Sequence, residues 1–240
     1  MNDRKILGAT LCALMIVGSS SVVAAPANGN FSGGLTGWEA AGDVAVLGST
    51  AFAQLTTATL GGDDLPAAAG AFNVSGNAAA ASGGLESFLG LSAGALDPDA
   101  AGFVFASEGS AIRQTVTVSA GDTLSFEWNF LSNEAGFAAQ PDYAFVVIGG
   151  NLIRLADSAG SLSPSAVYGG ETGTRHFSYT FTSGGSVVLG FGVVDAVDGS
   201  VSSALTLDAV QISPVPEPTA VAMFLAGLGI AGFAARRQKR

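Results

Sequence analysis

One compact group of acidic residues has the types and spacing that could bind a cation. Asp195 and Asp198 lie in a short loop after a predicted strand, and Gly199 and Ser200 follow directly. Calcium prefers several oxygen ligands, with carboxylates and backbone carbonyls mixed. The loop therefore predicts ligands for a structural calcium ion. The alternative is an ordinary Asp-Gly turn.

Residues for catalysis are scarce. His176 is the only histidine, and it has no Gly-x-Ser-x-Gly partner sequence. Zinc hydrolysis lacks its ligands, since the only cysteine, Cys12, lies near the start of the chain and no His-Glu-x-x-His occurs. Glu127, Glu134 and Asp142 could supply the carboxylate pair of a glycan hydrolase, or be ordinary solvated acids. We predict that the protein is not an enzyme.

Two aromatic residues could contact a sugar. The CH face of a sugar stacks on an exposed ring, and Trp38 and Tyr168 both lie in loop-like sequence. We predict them as candidate glycan contacts. The alternative for Trp38 is packing beneath the first turn of the domain.

Strand signals recur from 28 to 212 and must position these side chains. The clearest is 122–131, where four large apolar residues alternate with polar ones: Leu124, Phe126, Trp128 and Phe130. Residues 111–118 are also typical of a strand, so we predict a β-hairpin over 111–131.

Further strands are predicted at 143–148, with 152–155 returning beside it, and at 205–212. Residues 60–101 break this pattern, apart from a short helix near 84–91. Many short strands without a long helix predict an all-β domain, an antiparallel β-sandwich over 28–212.

The first 27 residues have the pattern of a signal peptide. Arg4 and Lys5 precede an apolar run, and small residues follow through Ala27. Cleavage after Ala24 and cleavage after Ala27 both fit. We predict export, and a mature chain without cysteine.

The carboxyl-terminal segment, 213–240, contains a proline-rich turn, an apolar run and a basic end. Residues 219–235 are uncharged and are seventeen in number, the short end of what a transmembrane helix needs. The basic end, 236–240, is expected in the cytoplasm. We predict a single transmembrane helix over 219–235, serving as a transient or permanent anchor.

The order of Pro216-Glu217-Pro218, an apolar stretch and a terminal basic cluster resembles the PEP-CTERM sorting signal of Gram-negative bacteria that produce exopolysaccharide. The resemblance implies that an exosortase, a membrane cysteine protease, recognises Pro216, Glu217 and Pro218. It also implies delivery to the cell surface or extracellular matrix.

A second, weaker resemblance spans 28–212. Asn28-Gly29-Asn30-Phe31 and Leu207-Asp208-Ala209-Val210 are similar to the opening and closing motifs of galactose-binding-like carbohydrate-binding jelly rolls. The resemblance implies a jelly-roll-like sandwich. It also implies that the closing strand brings a carboxylate near the amino-terminal segment, which adds Asp208 and Asp43 to the predicted calcium ligands.

The net charge of the chain limits the classes of partner that it is expected to bind. Without the two terminal segments the chain has three basic and seventeen acidic residues, a net charge of about −14. Nucleic acid is therefore excluded as a partner. We predict a non-catalytic exported surface or matrix protein associated with exopolysaccharide or biofilm. A glycan-binding module is the alternative, and a carboxylate-based glycan hydrolase is the second alternative.

Overall fold

The computed structural model describes residues 25–61, 71–99, 104–134, 141–197, 199–215 and 218–237. Twelve strands and two helices occur within these ranges: β1 Glu39–Ala41, β2 Asp43–Leu47, β3 Phe52–Thr56, β4 Ala80–Ala81, α1 Ser82–Leu89, β5 Ala106–Val118, β6 Thr123–Ser132, β7 Tyr143–Ile148, β8 Asn151–Asp157, β9 Gly170–Glu171, β10 Arg175–Thr180, β11 Gly185–Ala196, β12 Ser203–Ser213 and α2 Pro218–Arg237.

The strands form two antiparallel sheets. Sheet 1 has the order β1-β5-β11-β7-β8, with β4 also paired to β5. Sheet 2 has the order β10-β6-β12-β3-β2, with β9 also paired to β6. The mostly-β prediction is confirmed, and the two sheets are consistent with the predicted β-sandwich. The jelly-roll-like topology stays a prediction.

The main core lies between the two sheets. The alternating residues of β6 turn their large side chains inward, and Phe126 packs edge-to-face on Phe191 of sheet 1 with ring centroids 4.9 Å apart. The polar residues between them face outward, as the period of two in the sequence requires. Burying these apolar side chains on both sheets is the main stabilisation of the fold.

A second apolar cluster covers the outer face of sheet 1. Leu85 and Leu89 of α1 pack there with Leu96, and all three side chains are buried. This cover explains why every residue of β7 is buried. The predicted short helix near 84–91 is thus present as α1, and its apolar spacing places it on the sheet.

Two arginines hold this cover in place. Arg113 lies over the Phe88 ring and forms an ion pair of 2.8 Å with Glu39. Arg154 lies 4.0 Å from the centre of the Tyr143 ring, and the Tyr143 hydroxyl donates to the carbonyl of Leu96. Burial raises the pKa of Tyr143 above its ordinary value, which keeps the hydroxyl protonated.

The predicted hairpin over 111–131 is wrong. β5 belongs to sheet 1 and β6 to sheet 2, so the turn between them carries the chain across the core. The apolar side chains of β5 and β6 that face the core are buried when the two sheets pack against each other, and this does not require the two strands to pair. In contrast, β8 does return beside β7, where Val147 lies opposite Leu152.

Helix α2 covers the segment predicted to span a membrane. Its described apolar side chains, including Phe224, Ile230 and Phe233, are exposed. None of the described helices is both long and apolar enough to cross a membrane, so the structure does not support the predicted transmembrane helix.

The predicted signal peptide, 1–27, lies outside the described residues except for its last three. The chain then forms a turn-rich segment that Asn28 organises. The Asn28 amide donates to the carbonyl of Gly34 at 2.7 Å, and its oxygen accepts from the amide of Gly33 at 3.0 Å. Gln114 of β5 binds both the amide and the carbonyl of Ala27, so this segment is fixed to sheet 1.

Candidate functional site

A groove lies on the outer face of sheet 2, the face opposite the main core. Its volume is about 380 Å³, within the range of small-molecule sites. The lining residues come from three neighbouring strands and a flanking loop: Phe52, Gln54, Asn129, Leu131, Val167, Tyr168, Thr174, Thr206 and Asp208. Sheet 1 has its corresponding face covered by α1, so the groove side is the more accessible face of the sandwich.

Three polar side chains form a row across the floor of the groove. Thr206 lies opposite Gln54 on one side and opposite Asn129 on the other. Directly opposed residues of antiparallel strands have Cβ atoms about 5 Å apart. The register of β3, β12 and β6 therefore brings two amides and a hydroxyl together.

The three side chains of this row differ in their hydrogen bonds to the rest of the protein. The Asn129 amide donates to Glu171 at 2.7 Å, and its oxygen accepts from Thr172 at 3.0 Å. Gln54 and Thr206 have no side-chain hydrogen bond to the part of the protein that the structure describes. Their hydrogen-bonding capacity is therefore available to a ligand or to water.

An apolar wall borders the row. Val167 is 70% exposed at the rim, whereas Tyr168 is only 4% exposed. The Tyr168 ring packs on Phe72, with centroids 4.8 Å apart. Tyr168, predicted from the sequence as a glycan contact, thus lines the groove, but most of its ring packs against the protein. Its contact with a glycan stays a prediction.

The charge around the groove is negative. Asp208 lies opposite Glu127 on the neighbouring strand, and Glu127 lies opposite His176. No lysine or arginine is among the described residues that line the groove. Such surroundings disfavour anionic ligands and suit neutral, hydroxyl-rich ones, because amides, hydroxyls and a carboxylate can all bind hydroxyl groups.

Trp38 does not lie at this groove. It is 7% exposed and packs in the main core, with ring centroids 5.6 Å from Phe31 and 5.9 Å from Phe191. Its ring nitrogen donates to the carbonyl of Asn28 at 3.3 Å. Packing accounts for Trp38, which is the alternative that the sequence left open.

The predicted calcium ligand Asp43 has another set of partners. It is fully buried, and its carboxylate accepts from the Ser75 amide at 2.8 Å and the Ser75 hydroxyl at 2.6 Å. It also accepts from the Val74 amide at 3.0 Å and from the Thr56 hydroxyl. These hydrogens point at the lone pairs that a cation would need. Asp43 therefore anchors the loop around Val74 to sheet 2.

The other predicted calcium ligands lie on separate strands or outside the described residues. Asp195 is buried near the end of β11, where the Ser107 hydroxyl donates to its carbonyl at 3.3 Å. Asp208 borders the groove, and Asp198 lies outside the described residues. Within the described ranges, no three His, Cys, Asp or Glu side chains are grouped to hold a metal ion. Calcium binding stays a prediction.

Two of the three carboxylates considered for glycan hydrolysis have structural partners. Glu134 accepts from the Ser158 hydroxyl at 2.6 Å. Asp142 is fully buried and accepts from the Ala196 amide at 3.0 Å and the Ser203 hydroxyl at 2.6 Å. Glu127 is exposed on the outer face of sheet 2, beside the groove. The hydrolase alternative stays a prediction that now depends on Glu127.

Of the predicted sorting residues, Pro216 and Glu217 lie outside the described residues, and Pro218 is the first residue of α2. The sequence analysis missed Gln54, Asn129 and Thr206. Each occupies an outward position between inward apolar neighbours, so strand period alone marks them as surface residues. Only the pairing of the strands shows that they are neighbours.

Comparison with known proteins identifies the carboxyl-terminal segment. Residues 214–240 carry the PEP-CTERM protein-sorting motif. The resemblance drawn from Pro216-Glu217-Pro218 and the segment behind it is thus confirmed. Among curated proteins, no sequence matches the chain at a significant level.

Solved structures similar to this chain are carbohydrate-binding modules with a β-sandwich fold. They include TmCBM61 in complex with β-1,4-galactotriose, with 12% identity, a TM-score of 0.39, and coverage of 79% of this chain and 97% of that one. A CBM4 structure has 12% identity, a TM-score of 0.36, and coverage of 79% and 99%. The amino-terminal cellulose-binding domain of Cellulomonas fimi β-1,4-glucanase C has 11% identity, a TM-score of 0.33, and coverage of 75% and 90%. Likeness at this level carries no information about what this chain binds.

Proposed function

We propose that this chain is an exported, non-catalytic surface or matrix protein of a Gram-negative bacterium, sorted by an exosortase through its tail. The sorting motif at 214–240 carries the proposal. The strongly acidic β-sandwich in front of it is the exported cargo. Its role is to contribute to the exopolysaccharide or biofilm matrix, in which a high net charge favours solubility.

The test is mass spectrometry of the mature carboxyl terminus, purified from cells that have an exosortase. We expect a shortened terminus for the wild type and an intact one for Glu217→Ala, because that change removes the carboxylate from the motif. Glu127→Ala is the matched control, since it removes an exposed acid from the sandwich and leaves the tail unchanged. An intact terminus in the wild type would refute the proposal.

A second candidate function is binding of a neutral glycan in the groove. The observation that favours it is the row of Gln54, Thr206 and Asn129 beside the apolar wall, with no lysine or arginine in the part of the lining that the structure describes. Sugars have both features to match, since they present hydroxyl groups at their edges and CH groups on their faces.

A glycan array with the purified chain tests this candidate. We expect binding to neutral and not to uronic-acid glycans, and a loss of about tenfold or more in the double variant Gln54→Ala, Thr206→Ala, since it removes two hydrogen bonds. Gln211→Ala is the control, because Gln211 lies on the same strand and outside the groove. An equal affinity of both variants for every glycan bound would exclude the groove.

A further inference from the structure

The end of the sandwich that adjoins the sorting tail carries almost no charge. Four described loops and strand ends meet there: 119–122, 149–151, 180–186 and 213–215. Their only formal charge is Asp122, which is 2% exposed and accepts from the Ser119 amide at 2.7 Å. This absence is unexpected in a domain with a net charge of about −14.

The pairing of the strands places the loops of this end together. Ser213, the last residue of β12, lies opposite Thr123 at the start of β6, and Thr123 lies opposite Thr180 at the end of β10. The β5–β6 and β10–β11 loops also bind each other directly, since the Gly121 amide donates to the Phe181 carbonyl at 2.7 Å. We call residues 119–122, 149–151, 180–186 and 213–215 the neutral end.

Acidic residues gather at the opposite end of the same strands. Asp195 lies opposite Glu108, and Asp157 lies opposite Tyr143. Ser158 binds both Glu134, through its hydroxyl, and the carbonyl of Asp142, through its amide. β11 has 12 residues, so the two ends are separated by about 35 Å. The charge of the domain is thus distributed unevenly along its length.

The tripeptide of the sorting motif follows the neutral end directly in the sequence. Val215 packs on Gly121, where an added Cβ would lie 3.2 Å from a Val215 methyl group. The Pro216-Glu217-Pro218 tripeptide begins at the next residue. No residue of the sequence therefore separates the tripeptide from Val215, which contacts the β5–β6 loop.

We infer that the neutral end is a contact surface for the sorting enzyme, in addition to the motif itself. This inference rests on the proposed sorting function. A specific, stable protein–protein contact covers about 800 Å² on each partner, far more than a tripeptide offers, so we expect an enzyme that binds 216–218 to cover the adjoining loops as well. Charged side chains there would lose their hydration, which is costly without ionic partners.

The residues of the neutral end suit such a contact. Its exposed positions are mostly small and uncharged, including Ala120, Gly149, Thr182 and Ser183. Small side chains let another backbone approach closely, and hydroxyl groups can bind to it without the hydration that an ionised group would lose.

The test measures the rate at which the full chain loses its tail in cells that have an exosortase, by pulse labelling and mass spectrometry. The variant Thr182→Glu, Ser183→Glu should be processed about fivefold more slowly, because two charges must be buried or held near the enzyme. The isosteric neutral variant Thr182→Gln, Ser183→Gln should keep the wild-type rate. Ala159→Glu with Ser161→Glu, which adds the same charge in the exposed loop after β8, should also keep it.

A second experiment separates contact from an effect on folding. Six Gly/Ser residues inserted after Val215 should restore the rate of the doubly charged variant, since a longer connection moves the loops away from the enzyme. Equal rates for the charged and neutral variants, or no recovery with the insertion, would overturn the inference. So would reduced binding of the charged variant to anionic phospholipid vesicles at an unchanged processing rate, since the neutral end would then face the membrane. A wild-type chain that is never processed would refute the proposed function as well.

Discussion

Replacing Asp43 tests how a buried carboxylate holds a loop to the sandwich. Its side chain is fully buried and accepts hydrogen bonds from Thr56, Val74 and Ser75. In Asp43→Ala these donors lose their acceptor. Each buried donor left unpaired costs about 1–3 kcal/mol.

Part of the free-energy cost of these unpaired donors is offset by new hydrogen bonds. The Thr56 hydroxyl can rotate, and water can reach the exposed Ser75. We therefore expect Asp43→Ala to lower the free energy of unfolding by about 3 kcal/mol. For a domain of this size the melting temperature would fall by roughly 6–12 °C.

Urea unfolding of the purified protein measures the loss, and hydrogen exchange locates it. The amides of Val74 and Ser75 should exchange much faster in Asp43→Ala, since both donate to this carboxylate. Glu127→Ala removes an exposed acid and should change the stability by less than about 0.5 kcal/mol.

Two results would refute this reasoning. One is a loss below about 1 kcal/mol, which would mean that water replaces the carboxylate without penalty. The other is a rise in the melting temperature of the wild type with calcium that Asp43→Ala abolishes. That result would make Asp43 a calcium ligand, as the sequence analysis predicted.

Further predictions concern packing and pH. Gly109→Ala should lower the free energy of unfolding by about 2 kcal/mol or more, because the added Cβ would lie 2.1 Å from the Val193 carbonyl oxygen. Gly84→Ala, which has open space around it in α1, should instead raise the free energy of unfolding by about 0.5–1 kcal/mol. Urea unfolding measures both changes. Burial raises the pKa of Tyr143 in the folded state, so stability should be complete below pH 10, the ordinary tyrosine pKa, and decline above it. Thermal melts from pH 8 to 11 should show a smaller alkaline decline in Tyr143→Phe, and an equal decline would contradict this assignment.

The outer face of sheet 1 is covered by α1, whereas the outer face of sheet 2 carries the groove. The sequence explains this difference only in part. The short helix near 84–91 was predictable from apolar spacing, yet nothing local says that it covers sheet 1. For α1 to pack on sheet 1, the outer face of the sheet must be apolar, and the uninterrupted apolar run of β7 makes it so. In sheet 2, polar residues alternate with buried apolar ones around Gln54, Thr206 and Asn129, so this part of its outer face carries the polar row of the groove.

The sequence by itself determined the features that depend on neighbouring residues. The sorting motif is a contiguous pattern, and the helix and the strands follow from periodicity. The alternation in β6 also determined which of its side chains are buried.

Tertiary structure decided which strands are neighbours. Alternation fixes the face that a side chain occupies but not its partner strand, so the predicted 111–131 hairpin failed although both strands exist. The row of Gln54, Thr206 and Asn129, the anchoring of the Val74 loop by Asp43 and the neutral end all join residues distant in sequence. Hydrogen-bonded strand pairing is non-local, and apolar faces can be buried in several arrangements that a single sequence does not distinguish.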